Sequence, residues 1–398
     1  MEKKIIFGIA LGIGIASVSV FAANEMPAAV STVSADELAP LPSTAELLKR
    51  VEALETQATE GSASAWAGKV RMKGDVRYRF QHLQAEDTGG DNLSTKKNIQ
   101  RIRARLGAQA EVNDFTSAGL EIRTGSKANS GNVTLGDHFD GFDISISLAY
   151  FTLTPWEGNY GSATFGKMKQ PWKAVTDLIW DSDVNPEGIA YSYTRQAGDT
   201  GIIASLGYFR VEEENLTKDL NLGSGQLGVE QPLGEKFKLT LGTSLYGYQN
   251  APDFADPVLP GNYMEDYTIL EGFTEVGVKE VGPVPFKLYA NYVNNTEADN
   301  DNDGYCVGIK FGDAKKGKWE AKYDYRDLGL YAAPAYFTDS DFADGGTGVK
   351  GHRIKGQYNF AKNLSGGLTY VYSQRTPERS LNQDQQFNTL ILDLMVSF

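Results

Sequence analysis

Apolar and polar residues alternate with a period of two along most of this chain. Between residues 101 and 112 every even position is apolar, whereas the odd positions begin with Arg101, Arg103 and Arg105. Residues 389–398 repeat the pattern, with leucine, valine or phenylalanine at each even position. A period of two is typical of β-strands with one apolar face and one polar face. The chain is therefore expected to be all-β.

The alternating segments are longer than the strands of soluble sheets. They run roughly ten to thirteen residues, whereas soluble strands have about five or six and a tilted strand crossing a bilayer needs about 9–11. Sixteen such segments are predicted, at about 70–83, 98–112, 116–126, 142–154, 160–170, 188–196, 201–212, 220–231, 236–249, 267–280, 285–295, 305–311, 317–327, 350–360, 364–374 and 386–398.

The connections between these segments sort into two kinds by length. Short connections, such as 113–115 and 361–363, alternate with long ones, such as 171–187 and 328–349. This alternation is typical of outer-membrane barrels, whose long loops are extracellular and whose short turns are periplasmic. The sequence thus predicts a transmembrane antiparallel β-barrel of about 16 strands over residues 67–398, with both termini on the periplasmic side.

The composition excludes several other classes of protein. A formal net charge of −13 argues against a nucleic-acid partner, because phosphate binding needs a basic surface. No apolar run beyond residue 21 is long enough for a spanning helix, which excludes a multi-pass helical membrane protein. An enzyme is not expected, since only His82, His138 and His352 are available as bases and no nucleophile-elbow motif is present.

The N-terminus has the features of a secretory signal peptide. Lys3 and Lys4 precede an apolar stretch that ends at small residues around Ala22. Residues 1–22 are therefore expected to be removed on export.

The segment 23–66 is expected to be flexible except for a short helix at about 44–60, capped by Ser43 or Thr44. Apolar residues form a heptad-like seam on this helix, namely Leu47, Val51, Leu54 and Ala58. The helix is predicted to be either an amphipathic spacer or a small oligomerisation coiled coil.

Basic residues are concentrated on the polar faces of the first predicted strands. Each would cost about 2–4 kcal/mol on the lipid face at mid-bilayer, so these side chains are expected to line water. The predicted pore-lining basic wall consists of Arg71, Lys73, Arg77, Arg79, Arg101, Arg103, Arg105 and Arg123. Most acidic residues lie instead in long loops and are expected to face the external solution, among them Asp339, Asp341 and Asp344.

The long connection 171–187 combines acidic and apolar residues, which predicts a loop that folds into the barrel and packs. Its acidic residues are Asp177, Asp181, Asp183 and Glu187. Facing the basic wall, they are expected to form a transverse field that orders water and sets ion preference. Alternatively, the arginines only pair with lumen carboxylates such as Asp75 and Glu121. Lys167 and Lys169, just before the loop, are possible further pore residues.

Four motifs resemble the "putative porin" family of Gram-negative outer membranes. They are KGDVRYR at 73–79, QRIRARLG at 100–107, GKM at 166–168 and WDSDVNPEG at 180–188. The resemblance covers roughly residues 66–398 and implies a general diffusion porin with a periplasmic N-terminal helical extension. The C-terminal Phe398, preceded by alternating apolar residues, resembles the signal that the barrel-assembly machinery recognises.

One acidic run is similar to the opening of an EF-hand calcium loop. Asp299, Asp301 and Asp303 have the required spacing, but the twelfth position is Lys310 instead of glutamate. The run is predicted to be either a weak Ca²⁺ site at an extracellular loop or a solvated acidic turn, and no other cofactor is expected.

We expect this chain to pass small hydrophilic solutes and ions passively through the outer membrane of a Gram-negative bacterium. Its expected partners are outer-membrane lipid, lipopolysaccharide, the barrel-assembly machinery and two further copies of itself in a homotrimer. The alternative function is a structural one, in which the periplasmic helix tethers the envelope.

Overall fold

The computed structural model describes the residues 43, 45–46, 48–53, 68–87, 94–154, 161–214, 218–254, 266–281, 284–315, 318–375 and 385–398. The chain divides into two compact units, Met1–Gly61 and Ser62–Phe398. In the first unit the described residues from 45 onward are helical, and the Ser43 hydroxyl accepts a hydrogen bond from the Glu46 backbone N–H at 3.2 Å. The helix cap predicted at Ser43 is therefore confirmed.

Several predictions for the first unit lie outside the described residues. They concern the signal peptide 1–22, most of the segment 23–66, and the seam residues Leu47, Leu54 and Ala58. Within the described part of the chain, no helix is long and apolar enough to cross a membrane.

The second unit consists of β-strands joined by turns and loops. The strands are β1 Val70–Asp87, β2 Ser94–Asn113, β3 Thr116–Thr124, β4 Val133–Thr134, β5 Ile144–Leu153, β6 Ser162–Lys167, β7 Glu187–Ala197, β8 Thr200–Glu212, β9 Leu220–Leu233, β10 Phe237–Gln249, β11 Thr268–Val281, β12 Val284–Asn295, β13 Asp303–Gly312, β14 Trp319–Leu328, β15 Val349–Ala361, β16 Leu364–Arg375 and β17 Gln385–Ser397. Single 3₁₀ turns occur at Ala251–Asp253 and Ala335–Phe337.

Sixteen of these strands close into one antiparallel barrel. Each wall strand pairs with the next wall strand along the chain, and β1 also pairs with β17 in a register that places Asp75 opposite Ser397. The remaining strand, β4, pairs only with Arg101 and Ile102 of β2, so it belongs to a loop and not to the wall. The predicted barrel and its strand number are confirmed.

The two faces of the wall follow the alternation in the sequence. Leu206 and Leu227 are 64% and 65% exposed, whereas their chain neighbours Ser205 and Gln226 are buried. Large apolar side chains on the exposed face are stable in hydrocarbon, and the polar face is sheltered inside the barrel. The exposed face is therefore the lipid-facing surface.

Aromatic side chains lie near both ends of the lipid-facing strands β12 to β15. At the end with short turns, the rings of Phe286 and Phe311 are 6.1 Å apart. At the other end, the His352 ring lies 4.9 Å from the Tyr325 ring. The Tyr323 hydroxyl and the His352 Nδ1 atom share a hydrogen bond of 2.9 Å. Aromatic girdles of this kind are typical of the two membrane interfaces.

Part of the barrel interior is apolar, because two long loops fold into it. These are the β6–β7 loop (168–186) and the β14–β15 loop (329–348). Trp180 of the first and Phe342 of the second belong to one buried cluster with Leu222 of the wall. The inward packing predicted for the β6–β7 loop is therefore confirmed.

The inward position of the β14–β15 loop differs from the sequence-based expectation. Asp339 and Asp341 were expected to face the external solution, and this expectation is wrong. Asp339 is only 7% exposed, and Asp341 forms an ion pair with Arg79 of the wall at 2.6 Å. Asp344 of the same loop is exposed. Arg79 and Arg353 of the interior attract the carboxylates of Asp341 and Asp339 into the barrel.

Replacing Leu206 with arginine is expected to destabilise the barrel by about 2–4 kcal/mol, because Leu206 lies midway along β8 on the lipid-facing surface. Phe139 is the control, since it is a fully solvent-accessible apolar residue that lies in the loop before β5. Phe139→Arg should change the free energy of unfolding by less than about 0.5 kcal/mol. Urea unfolding in lipid vesicles measures both values, and equal losses would contradict the assignment of the lipid-facing surface.

Candidate functional site

The predicted basic wall lies on β1, β2 and β3, where backbone pairing places its members side by side. Arg77 is opposite Arg103, and Arg105 is opposite both Asp75 and Arg123. The Asp75 carboxylate accepts hydrogen bonds from Arg103 at 3.0 Å and from Arg105 at 2.7 Å. One carboxylate thus holds two neighbouring guanidinium groups whose charges repel each other.

The other predicted wall residues occupy different places. Arg79 is buried on β1 and forms ion pairs at 2.7 Å with Asp393 of β17 and at 2.6 Å with Asp341. Arg71 and Lys73 are exposed near the turn end of β1. Arg101 is half-buried at the level of β4.

Asp183 connects the β6–β7 loop to the basic wall. Its carboxylate lies 3.7 Å from Arg103 and 3.6 Å from Arg105, and its backbone carbonyl accepts a hydrogen bond from Arg123 at 3.3 Å. The loop is fixed further by the amide of Gln170, which donates to the carbonyl of Asp181 at 2.6 Å. These contacts place an acidic loop in front of the arginines, as the sequence predicts.

Asp177 connects the same loop to a second pair of wall arginines. Arg326 on β14 and Arg353 on β15 donate to its carboxylate at 2.6 Å and 2.8 Å. Arg353 also donates to Asp324 at 3.1 Å and to Asp339 at 2.6 Å. Both arginines are buried. Together with the three aspartates they form an ionic network that joins two strands and two loops.

This ionic network was not predicted from the sequence. Arg326, Asp324 and Arg353 were not among the residues predicted to line the pore. The available signal was the position of Arg353 on the polar face of β15, between Gly351 and Lys355. A buried arginine on a lumen face requires a carboxylate partner, but the sequence does not show which loop supplies it.

The two loops that fold inward also contact each other. The ring of Phe337 stacks on Trp180 with centroids 5.3 Å apart. The backbone N–H of Asp181 donates to the carbonyl of Phe337 at 2.8 Å, and the N–H of Ser340 donates to the Asp181 carboxylate at 3.4 Å. The β14–β15 loop is therefore a second wall of the constriction and not an external loop.

The carboxylates of the two loops differ in their affinity for protons. Although burial acts in the opposite direction, the guanidinium groups of Arg353 and Arg326 hold the pKa of Asp177 well below its usual range. Against burial, Arg79 likewise lowers the pKa of Asp341. Burial, followed by the nearby carboxylate of Asp339, raises the pKa of Asp181 to about 8. In the part of the chain that the structure describes, this small space therefore holds four carboxylates that are paired with arginines and one, that of Asp181, that is not.

A polar cavity of about 110 Å³ lies where these groups meet. This volume accommodates several water molecules. The charged side chains around it are Arg77, Arg79, Arg103, Arg353 and Lys355, together with Asp177, Asp181, Asp183, Asp339 and Asp341. Basic and acidic groups thus face each other across a small cavity.

The remaining predicted site residues lie apart from this cavity. Lys167 forms an ion pair with Glu187 where β6 meets β7, and Lys169 is exposed. Asp299, Asp301 and Asp303 lie in the loop before and at the start of β13. Among the described residues, no group of three or more histidine, cysteine or acidic side chains has a metal-binding arrangement.

The three histidines are distributed over the surface of the barrel. The His82 ring hydrogen-bonds Asn98 at 2.7 Å, the His352 ring contacts tyrosines of the lipid-facing surface, and His138 is exposed beside Asp137. Within the described part of the chain, none of these contacts places a serine or cysteine nucleophile against a histidine base.

Replacing Arg353 with methionine is expected to lower the free energy of unfolding by about 3–5 kcal/mol, because Asp324 and Asp339 lose a buried partner. The control Lys218→Gln removes an exposed ion pair with Asp253, which should contribute only about 0–1 kcal/mol. Urea unfolding of both variants distinguishes the two effects. A loss for the Arg353 variant no larger than the control's would show that the network is not structural.

Comparison with known proteins supports the architecture. Matching by family model assigns residues 81–258 and 263–398 to the family described as "Putative porin". The comparison with curated proteins gives no match.

Three solved structures share the fold at low sequence identity. OprB of Pseudomonas putida, in a high-pH structure, is 10% identical, with 85% of this chain and 97% of that chain covered and a TM-score of 0.55. OmpF of Salmonella typhi, in complex with daunomycin, is 11% identical, with 83% and 97% covered and a TM-score of 0.50. The outer-membrane channel DcaP of Acinetobacter baumannii is 15% identical, with the same coverage and TM-score. Because the family model spans well over half of the sequence, this chain belongs to the putative porin family and is a passive-diffusion channel of the Gram-negative outer membrane.

Proposed function

We propose that small hydrophilic solutes and ions cross this barrel along the basic wall of β1 to β3. The observation that supports this path is the charged cavity, which lies between arginines of β1 and β2, basic residues of β15 and the two inward loops. Elsewhere in the interior, apolar residues such as Trp172, Leu178 and Leu220 pack into a core. Water and ions are therefore expected to avoid that part of the interior.

The narrowness of this path sets an upper limit on solute size. Fixed charges of both signs orient water across the passage and favour solutes that exchange hydration for contacts with arginine or aspartate. Apolar solutes gain nothing from such a surface. We therefore propose passive flow of small polar molecules, with no catalytic step and no cofactor required for conduction.

Purified protein in a planar bilayer should show stepwise, ohmic conductance. Replacing Arg101, Arg103 and Arg105 with alanine should shift ion selectivity towards cations, because Asp75 and Asp183 lose their positive partners. The reversal potential in a salt gradient measures this shift. The control Lys362→Ala, at an exposed position in the turn between β15 and β16, should leave it unchanged.

Two outcomes would count against this function. Absence of conductance steps from correctly folded protein would contradict the channel function itself. An unchanged reversal potential in the triple variant would mean that ions pass elsewhere than the basic wall. Detachment of the envelope on deletion of residues 44–60, without loss of conductance, would support an additional tethering role for the N-terminal segment.

We further propose that three copies of the chain associate in the membrane, surrounded by outer-membrane lipid and lipopolysaccharide. Family membership and the broad apolar surface of the barrel support this assembly. Light scattering of protein in mild detergent should give a particle of three chains, after correction for bound detergent. A mass of one chain under conditions that preserve the barrel would contradict the trimer.

A further inference from the structure

The five carboxylates around the charged cavity are not equivalent. Four of them form ion pairs within 4 Å: Asp177 with Arg353, Asp183 with Arg103, Asp339 with Arg353 and Asp341 with Arg79. The fifth, Asp181, forms no ion pair within that distance among the described residues. Its carboxylate accepts hydrogen bonds from the backbone N–H groups of Asp183 at 2.8 Å and Ser340 at 3.4 Å.

The positive groups of the cavity are engaged by other partners. Arg79 binds Asp393 and Asp341, Arg103 binds Asp75, and Arg77 donates to the side chain of Asn132 at 2.6 Å. Lys355 forms no ion pair within 4 Å in the described part of the chain, and its charge adds a smaller contribution to that of Arg79 at Asp341. The nearest charged neighbours of Asp181 are instead carboxylates, namely Asp339, Asp183 and Asp177.

An unpaired charge acts on a passing ion more strongly than a paired one. In an ion pair, the fields of the two partners largely cancel at the distance of a hydrated ion. Asp181 has no such partner, so its full charge acts on the passage whenever it is ionised. The Asp181 carboxylate lies where the two loops meet, and it forms part of the cavity wall.

We propose that Asp181 controls the charge selectivity of the channel, and that its ionisation shifts the preference of the passage towards cations. The proposal rests on the proposed path along the charged cavity. The small cations concerned are hydrated metal ions and solutes that carry an ammonium group. Loss of the Asp181 proton adds one negative charge that no neighbouring arginine neutralises.

The pH window follows from the direction of the shift at Asp181. Burial and the neighbouring carboxylates raise its pKa to about 8, so its carboxyl is mostly protonated at pH 6 and mostly ionised at pH 9. Asp177 and Asp341, whose pKa values are lowered, keep their charge throughout this range. Burial also raises the pKa of Asp339, but Arg353 and Arg326 remain its partners when it ionises.

The test compares wild type with Asp181→Asn in planar bilayers under a potassium chloride gradient at pH 6, 7, 8 and 9. For wild type, the cation-to-anion permeability ratio should rise by about tenfold, because one unit charge about 6 Å away in water favours a cation about threefold and disfavours an anion about threefold. For Asp181→Asn, which is nearly isosteric, the ratio should remain at the low-pH value. Asp181→Glu should keep the rise in the permeability ratio with pH. Asp344→Asn, at an exposed position, should behave as wild type.

The outcomes separate this inference from the function on which it rests. A parallel rise in wild type and Asp181→Asn would overturn the role of Asp181, as would loss of the rise in Asp344→Asn. A flat ratio for wild type with normal conductance steps would do the same. Absence of conductance in wild type would contradict the channel function instead. Matching conductance and heat-modified gel mobility of all variants would establish that they fold alike.

Discussion

A hydrocarbon interior offers no water to backbone N–H and C=O groups, so every such group in the membrane must be paired within the protein. For a sheet, this requirement is met only by closure, which leaves no unpaired edge. The pairing of β1 with β17 provides that closure here. The alternating sequence is its corollary, because a closed wall presents each second side chain to lipid and the others to the interior.

Closure also creates the electrostatic problem that the interior must solve. Arginines that cannot face lipid are confined inside, where isolated charge is costly. The structure distributes their partners over wall and loops: Asp75 and Asp324 come from strands, whereas Asp177, Asp183 and Asp341 come from loops. These aspartates therefore neutralise arginines of the interior, and the ion pairs that do so also hold the constriction in place.

Sequence alone was sufficient for the features that depend on local order. The strand number and the inward packing of the β6–β7 loop follow from periodicity and from apolar residues such as Trp172 and Ile179. The β14–β15 loop was misplaced because its position depends on partners far away along the chain. Arg79, which holds Asp341, lies at the opposite end of the sequence, and no local pattern reports that pairing.

Closure by the first and last strands has a consequence for how the protein is made. Until β17 has been delivered, β1 has only one neighbour, and the wall has two open edges that can pair with other chains. The final contact joins β1 and β17, which lie far apart along the chain. Bringing them together costs conformational entropy, so this contact forms slowly. The newly exported chain must therefore be kept from aggregating for as long as its ends remain apart, and a chain truncated before its last strand has no stable form to reach.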